Sequence, residues 1–542
     1  VLGIEKAGRG AVAPIMSLQA ARDHFSKEQL NQGQQDAATL LLSTTNRVVG
    51  IEGNPGAGKS HMLDKAKNKV QEEAKQAQNK TLAALSGDMA TEGYTFRALA
   101  PYSSQVKALR ELGVTAQTVA SFLHAKDKKI DEKTILVIDE AAVMPARQMA
   151  KVLAIAEQAN ARVALVFDRK QTQAIEAGRP VDQLVKNGME VATLTEIQRQ
   201  TNKVLKTAVE QAAEGKHHKS LETLKAHGHV VEIADNTARR QAIAEAYLAM
   251  SPEKREKTLI ISGTNEARRE INSYVRAGLG TAGKGRDFDL LIRHDSTQAE
   301  RRHAANYDVG DTIQPEKDYP KHGLSRHQTY RVVGHQGPQE LVVEDVATKQ
   351  QIAFNPYRTT LSVYRTVREE LAVGDLVKVT RGFAAEDLAN GDRFHIKAIT
   401  DDGRIVLANG QREVQFKTNA GVHLDHAYTT TTHSSQSLTE YGTLLDKDTR
   451  SPTTRQETWL VGVSRSKQEL TVFTDSIERL PMAVMRHVDK SAALDLRLQP
   501  RQKEEAQKQQ QNLQLSTQQQ EAKRRQDLER QRLSSQRGLT RA

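Results

Sequence analysis

The 542-residue chain has no cysteine. That excludes disulfides, thiolate zinc sites, iron–sulfur clusters and a thiol nucleophile, and it fits a reducing compartment. Long apolar runs are missing too. The longest are short pieces such as residues 163–167, far below the ~18 residues a membrane span needs, so no membrane insertion is expected. The chain begins with Val1 rather than Met, and no basic–apolar–small signal pattern follows. Aromatic residues make up 4%, and the single tryptophan, Trp459, is assigned to the core. Net charge is also small: 78 Lys+Arg stand against 67 Asp+Glu, a formal +11. This tilts only modestly toward a nucleic-acid partner. The length itself suggests about three or four domains.

Three composition regimes follow one another. Over residues 1–300, short apolar runs (48–51, 96–100, 135–138, 163–167, 259–261) alternate with amphipathic stretches such as 59–83 and 141–160. Strand–helix alternation of this kind predicts a parallel sheet in an α/β domain. Over residues 308–425, short alternating strands are punctuated by Gly374, Asn390-Gly391, Asp402-Gly403 and Asn409-Gly410, which predicts one or two small antiparallel barrels. The α/β pattern returns over 426–485, with 459–463 and 470–473 read as strands. The stretch 497–542 is rich in Gln, Arg, Lys and Glu and poor in apolar residues, so it is read as a disordered or marginally helical tail. It holds 11 Lys+Arg against five Asp+Glu, a net +6.

The strongest local signal is Gly53-Asn54-Pro55-Gly56-Ala57-Gly58-Lys59-Ser60. It fits G-x-x-x-x-G-K-[ST], follows a strand and opens a helical pattern, which is the context the motif requires. Glycines let successive N–H groups curl toward phosphate oxygens, and the helix N-terminus adds its positive end. Lys59 suits the β/γ-phosphates and the Ser60 hydroxyl suits Mg²⁺. Downstream, residues 135–138 form a buried-type strand ending in Asp139 and Glu140. Asp139 can hold Mg²⁺ through water, and Glu140 can polarise an attacking water. Asp168 and Gln171 follow the next strand, where a γ-phosphate sensor would sit. Lys65, Lys67 and Lys69 of the helix after Ser60 are read as a solvated face.

Other segments carry a family resemblance. Leu30-Asn31-Gln32-Gly33-Gln34 precedes the phosphate loop. Together with that loop and Asp139-Glu140-Ala141-Ala142, it resembles superfamily 1 helicases of the RecD-like class. Segments 194–200, 427–439 and 461–467 look like that family's fourth, fifth and sixth motifs. The motif style and the Gln/Arg-rich tail are most similar to the helicase half of conjugative relaxase–helicases (the TraI/TrwC family, MobF class).

The resemblance implies two tandem RecA-like P-loop domains, a small SH3-like β-barrel insertion in the second, and ATP with Mg²⁺ between them. The division it suggests is 1–24 as a linker or extension and 25–195 as the first domain, with a short pin near 124–133. The second domain follows as 196–307 and 426–490, around the insertion 308–425, and 491–542 is the tail. On the resemblance, Gln34 reads adenine, Glu140 activates water, Gln171 senses the γ-phosphate, and Arg199 and Arg465 reach across the cleft. Single-stranded DNA would run past Tyr102, Ser103, Ser104, Thr118, Thr432, His433 and Ser434, where hydroxyls, strand-end N–H groups and rings can bind backbone and bases without reading sequence. Ser437 departs from the family, which usually has Gly there.

The 17 His show no three-histidine spacing, so no relaxase or nuclease activity is assigned; the start at Val1 reads as a cut downstream of a relaxase domain. The leading expectation is an ATP-dependent helicase moving 5′→3′ on single-stranded DNA during plasmid transfer. Its setting would be the bacterial cytoplasm, with translocation to a recipient cell conceivable. Duplex junctions, a relaxase domain, a type IV coupling protein and relaxosome accessory proteins are its expected partners. The alternative is a degenerate helicase-like module that grips single-stranded DNA and presents a secretion signal without hydrolysis. An unrelated P-loop kinase or ATPase subunit is a third reading; it leaves Arg465 and the late return to α/β unexplained.

Overall fold

The computed structural model describes residues 1–84, 93–169, 178–294, 296–383, 388–410, 412–416, 418, 421–436 and 438–486, with the side chains of 76–84 and 104 excepted. Gln171, Ser437 and the tail from 487 onward lie outside the described residues.

The first sheet has six parallel strands in the order Thr115–Thr118, Thr95–Ala100, Thr134–Ile138, Arg162–Phe167, Val48–Gly53, Val191–Leu194. Its central strands are buried on both faces, so they read as continuous apolar runs rather than alternating ones. Alternation shows instead in where the side chains go. Val49, Ile51, Ile135, Val137, Ala164 and Val166 feed one layer with Leu41, Met62 and Val70. Val48, Leu136, Ile138, Val163, Leu165 and Phe167 feed the other with Val152, Leu153 and Leu184. The phosphate-loop strand lies between Arg162–Phe167 and Val191–Leu194, in register Val48↔Val163 and Gly50↔Val191. Residues 1–24, expected as a linker or extension, are packed on this unit: Val1, Leu2 and Ile4 lie against the second layer and Ala21 is in the first.

A second parallel sheet has five strands in the order Thr429–Thr431, Thr258–Ser262, Glu440–Lys447, Ser466–Thr474, Val230–Glu232. Trp459 is fully buried there, and its indole N–H donates to Ser220 Oγ at 3.1 Å. The expected strand 459–463 is instead part of the helix Gln456–Val463. This short helix is buried on all sides, so its apolar run carries no periodicity that tells helix from strand. Glu440–Lys447, absent from the sequence reading, is the strand beside Ser466–Thr474.

Between these halves of the second unit stand two antiparallel sheets where one or two small barrels were expected. The first has six strands running from Gln351–Phe354 at one edge to Leu361–Leu371 and Arg286–Arg293 at the other. The second has five, including Leu376–Val379, Arg393–Ile399 and Leu424–His426. The β-rich region therefore begins at Arg286, before position 308. Arg286–Arg293 carries four charged residues among its eight, and its Phe288 and Leu290 join the core of the five-stranded sheet. Among the described residues no helix is long and apolar enough to cross a membrane.

Candidate nucleotide-binding cleft

The carboxyl ends of the first sheet converge on a cleft of about 480 Å³, lined by the phosphate loop, Asp139, Glu140, Gln198, Arg199, Gln436 and Arg465. Sheet topology explains this: in open parallel sheets the loops leaving the strand ends build the ligand crevice. Gly53 ends the strand, and Lys59 opens the helix Lys59–Ala84. Gly56 and Gly58 have φ of +79° and +77°, a backbone region where a Cβ is strained. A Cβ on Gly56 would also meet Arg199 Cβ at 2.6 Å, and one on Gly58 would collide with the Gln34 amide. Lys59 Nζ donates to Gly53 O at 2.8 Å, and the Ser60 side chain is exposed to the cleft. Asn54 ties the loop down, with Nδ2 donating to Thr195 O at 3.1 Å, while Pro55 and Ala57 are buried.

Asp139 follows the buried strand Thr134–Ile138, and its N–H donates to Leu99 O at 2.9 Å. Glu140 sits at φ 48°, a left-handed conformation that costs a non-glycine residue roughly 1–3 kcal/mol. Burial pushes both carboxyls above the usual range, while the Lys59 ammonium opposes the shift in each. Such a carboxyl is a better proton acceptor than one in water. Asp168 is 2% exposed at the end of the neighbouring strand and adds to the negative field on Glu140.

Two guanidiniums face these carboxylates. Arg199 lies on the segment that leaves the first sheet, not on the far side of the cleft. The adjacent Gln198 N–H donates to Gly56 O at 2.8 Å, and Arg199 itself donates to Ser464 O at 2.9 Å. It therefore bridges the phosphate loop to the second unit. Arg465 comes from the second unit and is 1% exposed. It donates to the carbonyls of Val461, Ser435, Gln436 and Leu438 and to Ser464 Oγ. Burial pushes Arg199 down to about 10 and Arg465 down to about 9, the latter with help from Arg199, so both stay cationic at neutral pH.

Gln34 is buried behind the loop rather than lining the cleft. Its Nε2 donates to Ala57 O at 3.1 Å, and its Oε1 accepts from Asn31 N–H in a helix-capping box. Of the residues expected along a DNA path, Tyr102 is 45% exposed and starts the helix Ser103–Glu111. Thr118 caps the helix Val119–His124 by accepting from Ser121 N–H. His433 and Ser434 are exposed. Thr432 is a correction: it is buried, with its hydroxyl donating to Ser262 O, so it offers nothing to a ligand. The Ser104 side chain and Gln171 are not among the described features.

The lysine face after Ser60 is a second correction. Lys67 is buried and donates to Asp64 and Leu112 O, Lys65 pairs with Glu28, and Lys69 pairs with Glu72 and Glu73. Sequence reasoning also missed Gln105, which lines the cleft while its Oε1 accepts from Tyr102 N–H. It missed Gln200 as well, whose buried Nε2 donates to Ser464 O and Ser466 O and clamps the inter-unit segment. Gln200 stood inside a quoted motif; Gln105 carried no signal beyond its place three residues after Tyr102.

Residues 29–235 match the AAA domain family. Over 90% of its length the chain is 24% identical to the multifunctional conjugation protein TraI of Escherichia coli K12, covering 30% of that protein. It is 27% identical to the probable conjugal transfer protein TraA of Sinorhizobium fredii over 48% of the chain and 22% of that protein. It thus spans about 30% of the length of the TraI protein it matches. Among solved structures, the Pif1 helicase from Bacteroides bound to ADP-AlF3 and single-stranded DNA superposes with a TM-score of 0.40 at 14% identity, covering 85% of this chain and 95% of that one. The Candida albicans Pif1 helicase gives 0.41 at 13%, covering 85% and 97%. The chain is a homologue of the TraI and TraA conjugation proteins.

Proposed function

We propose that this chain is an ATP-driven motor that moves 5′→3′ along single-stranded DNA and unwinds duplex during conjugative transfer. One observation carries the reading: Lys59, Asp139, Glu140, Arg199 and Arg465, drawn from both parallel-sheet units, line a single cleft. Charge spreads over the γ-phosphoryl oxygens as the bond to the leaving phosphate breaks. Lys59 and the loop N–H groups hold the phosphates, Glu140 takes the proton from the attacking water, and the arginines meet the developing charge. The Ser60 hydroxyl and the Asp139 carboxylate are hard oxygen donors that would hold a Mg²⁺ ion, which would supply charge neutralisation for the phosphates. Because Arg465 belongs to the second unit, cleft closure and hydrolysis are linked. Gln34 steadies the loop from behind, and reading adenine would require its amide to leave Ala57 O and Asn31 N–H.

The DNA contacts are proposed at Tyr102, Ser103, His433 and Ser434, and the polarity and plasmid role rest on homology to proteins named for conjugation. A relaxase domain and secretion components are the partners this reading carries with it. The test is ATP turnover with and without single-stranded DNA, for wild type and Lys59→Ala. DNA-stimulated turnover that vanishes in the variant is expected. Tight DNA binding with no wild-type turnover would instead select the non-hydrolysing module, and turnover indifferent to DNA would remove the motor.

A further inference from the structure

A second cleft, of about 560 Å³, opens on the six-stranded antiparallel sheet of the insertion, lined among others by Arg302, His303, His322, Asn355, Tyr357 and Arg358. Among the described residues no carboxylate lines it. Neither Arg302 nor Arg358 takes part in an ion pair among the described residues, whereas neighbouring Arg301 is spent internally on Leu361 O and Thr297 O. Two short 3-10 turns build the walls. Arg301 pins the first, Glu300–Arg302, and Tyr307 donates to its carbonyl. The second, Pro356–Arg358, is fixed by Asn355 Oδ1 accepting from Tyr357 N–H and by Thr359 donating to Pro356 O. Tyr357 thus sits on a hydrogen-bonded turn, is 57% exposed, and has the Arg302 guanidinium 5.9 Å from its ring centroid.

We infer that this cleft binds a nucleotide unit of single-stranded nucleic acid, with a base stacked on Tyr357 and the flanking phosphates on Arg302 and Arg358. An exposed ring presents a face on which any base can stack. Arginines that pair with no carboxylate among the described residues are poised for phosphate, which their planar fork fits in two-pronged fashion. A base paired in a duplex has no free face, so the ring selects unpaired strand. The inference rests on the proposed reading that the chain works on nucleic acid, and it extends the contact surface beyond the two parallel-sheet units.

Binding of a fluorescein-labelled oligothymidine, measured by anisotropy in the absence of ATP over a salt series, tests it. Tyr357→Ala should weaken binding by about fivefold to a hundredfold, the range of one base stack, and Tyr357→Phe should restore it. Arg302→Gln with Arg358→Gln should flatten the slope of log affinity against log salt by about 1.4, at ~0.7 per phosphate contact on a single strand. DNA-free ATP turnover should not change in any of the three, which also reports that they fold. A wild type that binds no oligonucleotide overturns the nucleic-acid reading as a whole. A wild type that binds, with all variants matching it in affinity and slope, overturns this site alone.

Discussion

At the scale of single residues, the cleft holds its charged groups in a waiting arrangement. Lys59 rests on Gly53 O, and Arg465 rests on four carbonyls and one hydroxyl of its own unit. Arg465 thus has two duties: it supplies charge to the cleft and holds the turn after Thr432. Removing it should lower ATP hydrolysis by on the order of 10³-fold, the low end for a lost arginine finger, while a fluorescent ATP analogue still binds. It also strands buried carbonyls, at about 1–3 kcal/mol each. Arg465→Ala should therefore lower the melting temperature as well. Arg465→Lys separates the duties, since it keeps a cation but cannot satisfy several carbonyls at once. Single-turnover hydrolysis alongside thermal melting checks both; near-wild-type hydrolysis in Arg465→Ala would remove it from the catalytic set. The identity of these residues was legible in the sequence because phosphate chemistry dictates residue type and spacing. Their resting partners were not. Gln34 behind the loop, Thr432 turned inward and Lys67 buried on Leu112 O are choices among hydrogen-bond acceptors that only tertiary packing makes available.

At the scale of elements, buried strands with apolar runs, such as Thr134–Ile138 and Arg162–Phe167, were plain in the sequence. The helix Gln456–Val463 was not, because a fully buried element of eight residues shows no face. Arg286–Arg293 escaped notice because its charged residues mask a strand whose alternate positions are apolar. The joint it helps to build was equally hidden. Asp375, fully buried, accepts from Arg276 Nε at 3.1 Å, Thr281 Oγ1 at 2.7 Å, Ala372 N at 2.9 Å and Tyr428 OH at 3.3 Å. His426 faces it at 3.5 Å and Glu369 at 3.6 Å. This network fastens the helix Asn265–Leu279 to the five-stranded sheet, one residue before the strand Thr429–Thr431 begins.

Breaking it by Asp375→Ala should cost about 3–5 kcal/mol, the usual penalty for orphaning a buried ion, read from urea unfolding at neutral pH. The pH dependence has two arms. Burial acts to raise Asp375, but His426, Arg276 and Thr281 outweigh it and hold the carboxyl below its usual range. Its contribution is present above the unfolded value of about 3.9 and is lost as pH falls further. Burial likewise opposes His426, but Asp375 and Glu369 raise it above its ordinary value. That contribution is complete below about pH 6.5 and is lost as pH rises through the raised value. His426→Gln should therefore flatten the stability profile above about pH 6.5 and shrink the acid arm without removing it, since Arg276 and Thr281 still hold Asp375 down. An unchanged alkaline arm would show that His426 does not titrate in this joint.

At the scale of the whole molecule, the net charge has an uneven address. Residues 497–542 carry +6 of the total +11, which leaves +5 for the other 496 residues. A nearly neutral remainder is consistent with the proposed motor, which must release each phosphate it passes; a surface of high uniform charge would hold the strand in place instead. Local placement of cations then matters more than their sum, as at Arg465 in the first cleft and at Arg302 and Arg358 in the second. The basic C-terminal stretch is different in composition, with many charged and few apolar residues. Such a stretch adds affinity for any polyanion without selecting sequence or strandedness, and the added affinity is the part that salt removes first. A chain ending at Leu496 should therefore keep DNA-stimulated ATP turnover while losing affinity for random duplex at low salt. Its slope of log affinity against log salt on duplex should be shallower by about 0.9 for each phosphate that the missing residues had neutralised. Anisotropy titrations of both chains between low and physiological salt decide the matter. Parallel slopes would put all of the duplex contacts on residues 1–496 and leave the +6 stretch for an acidic partner other than DNA.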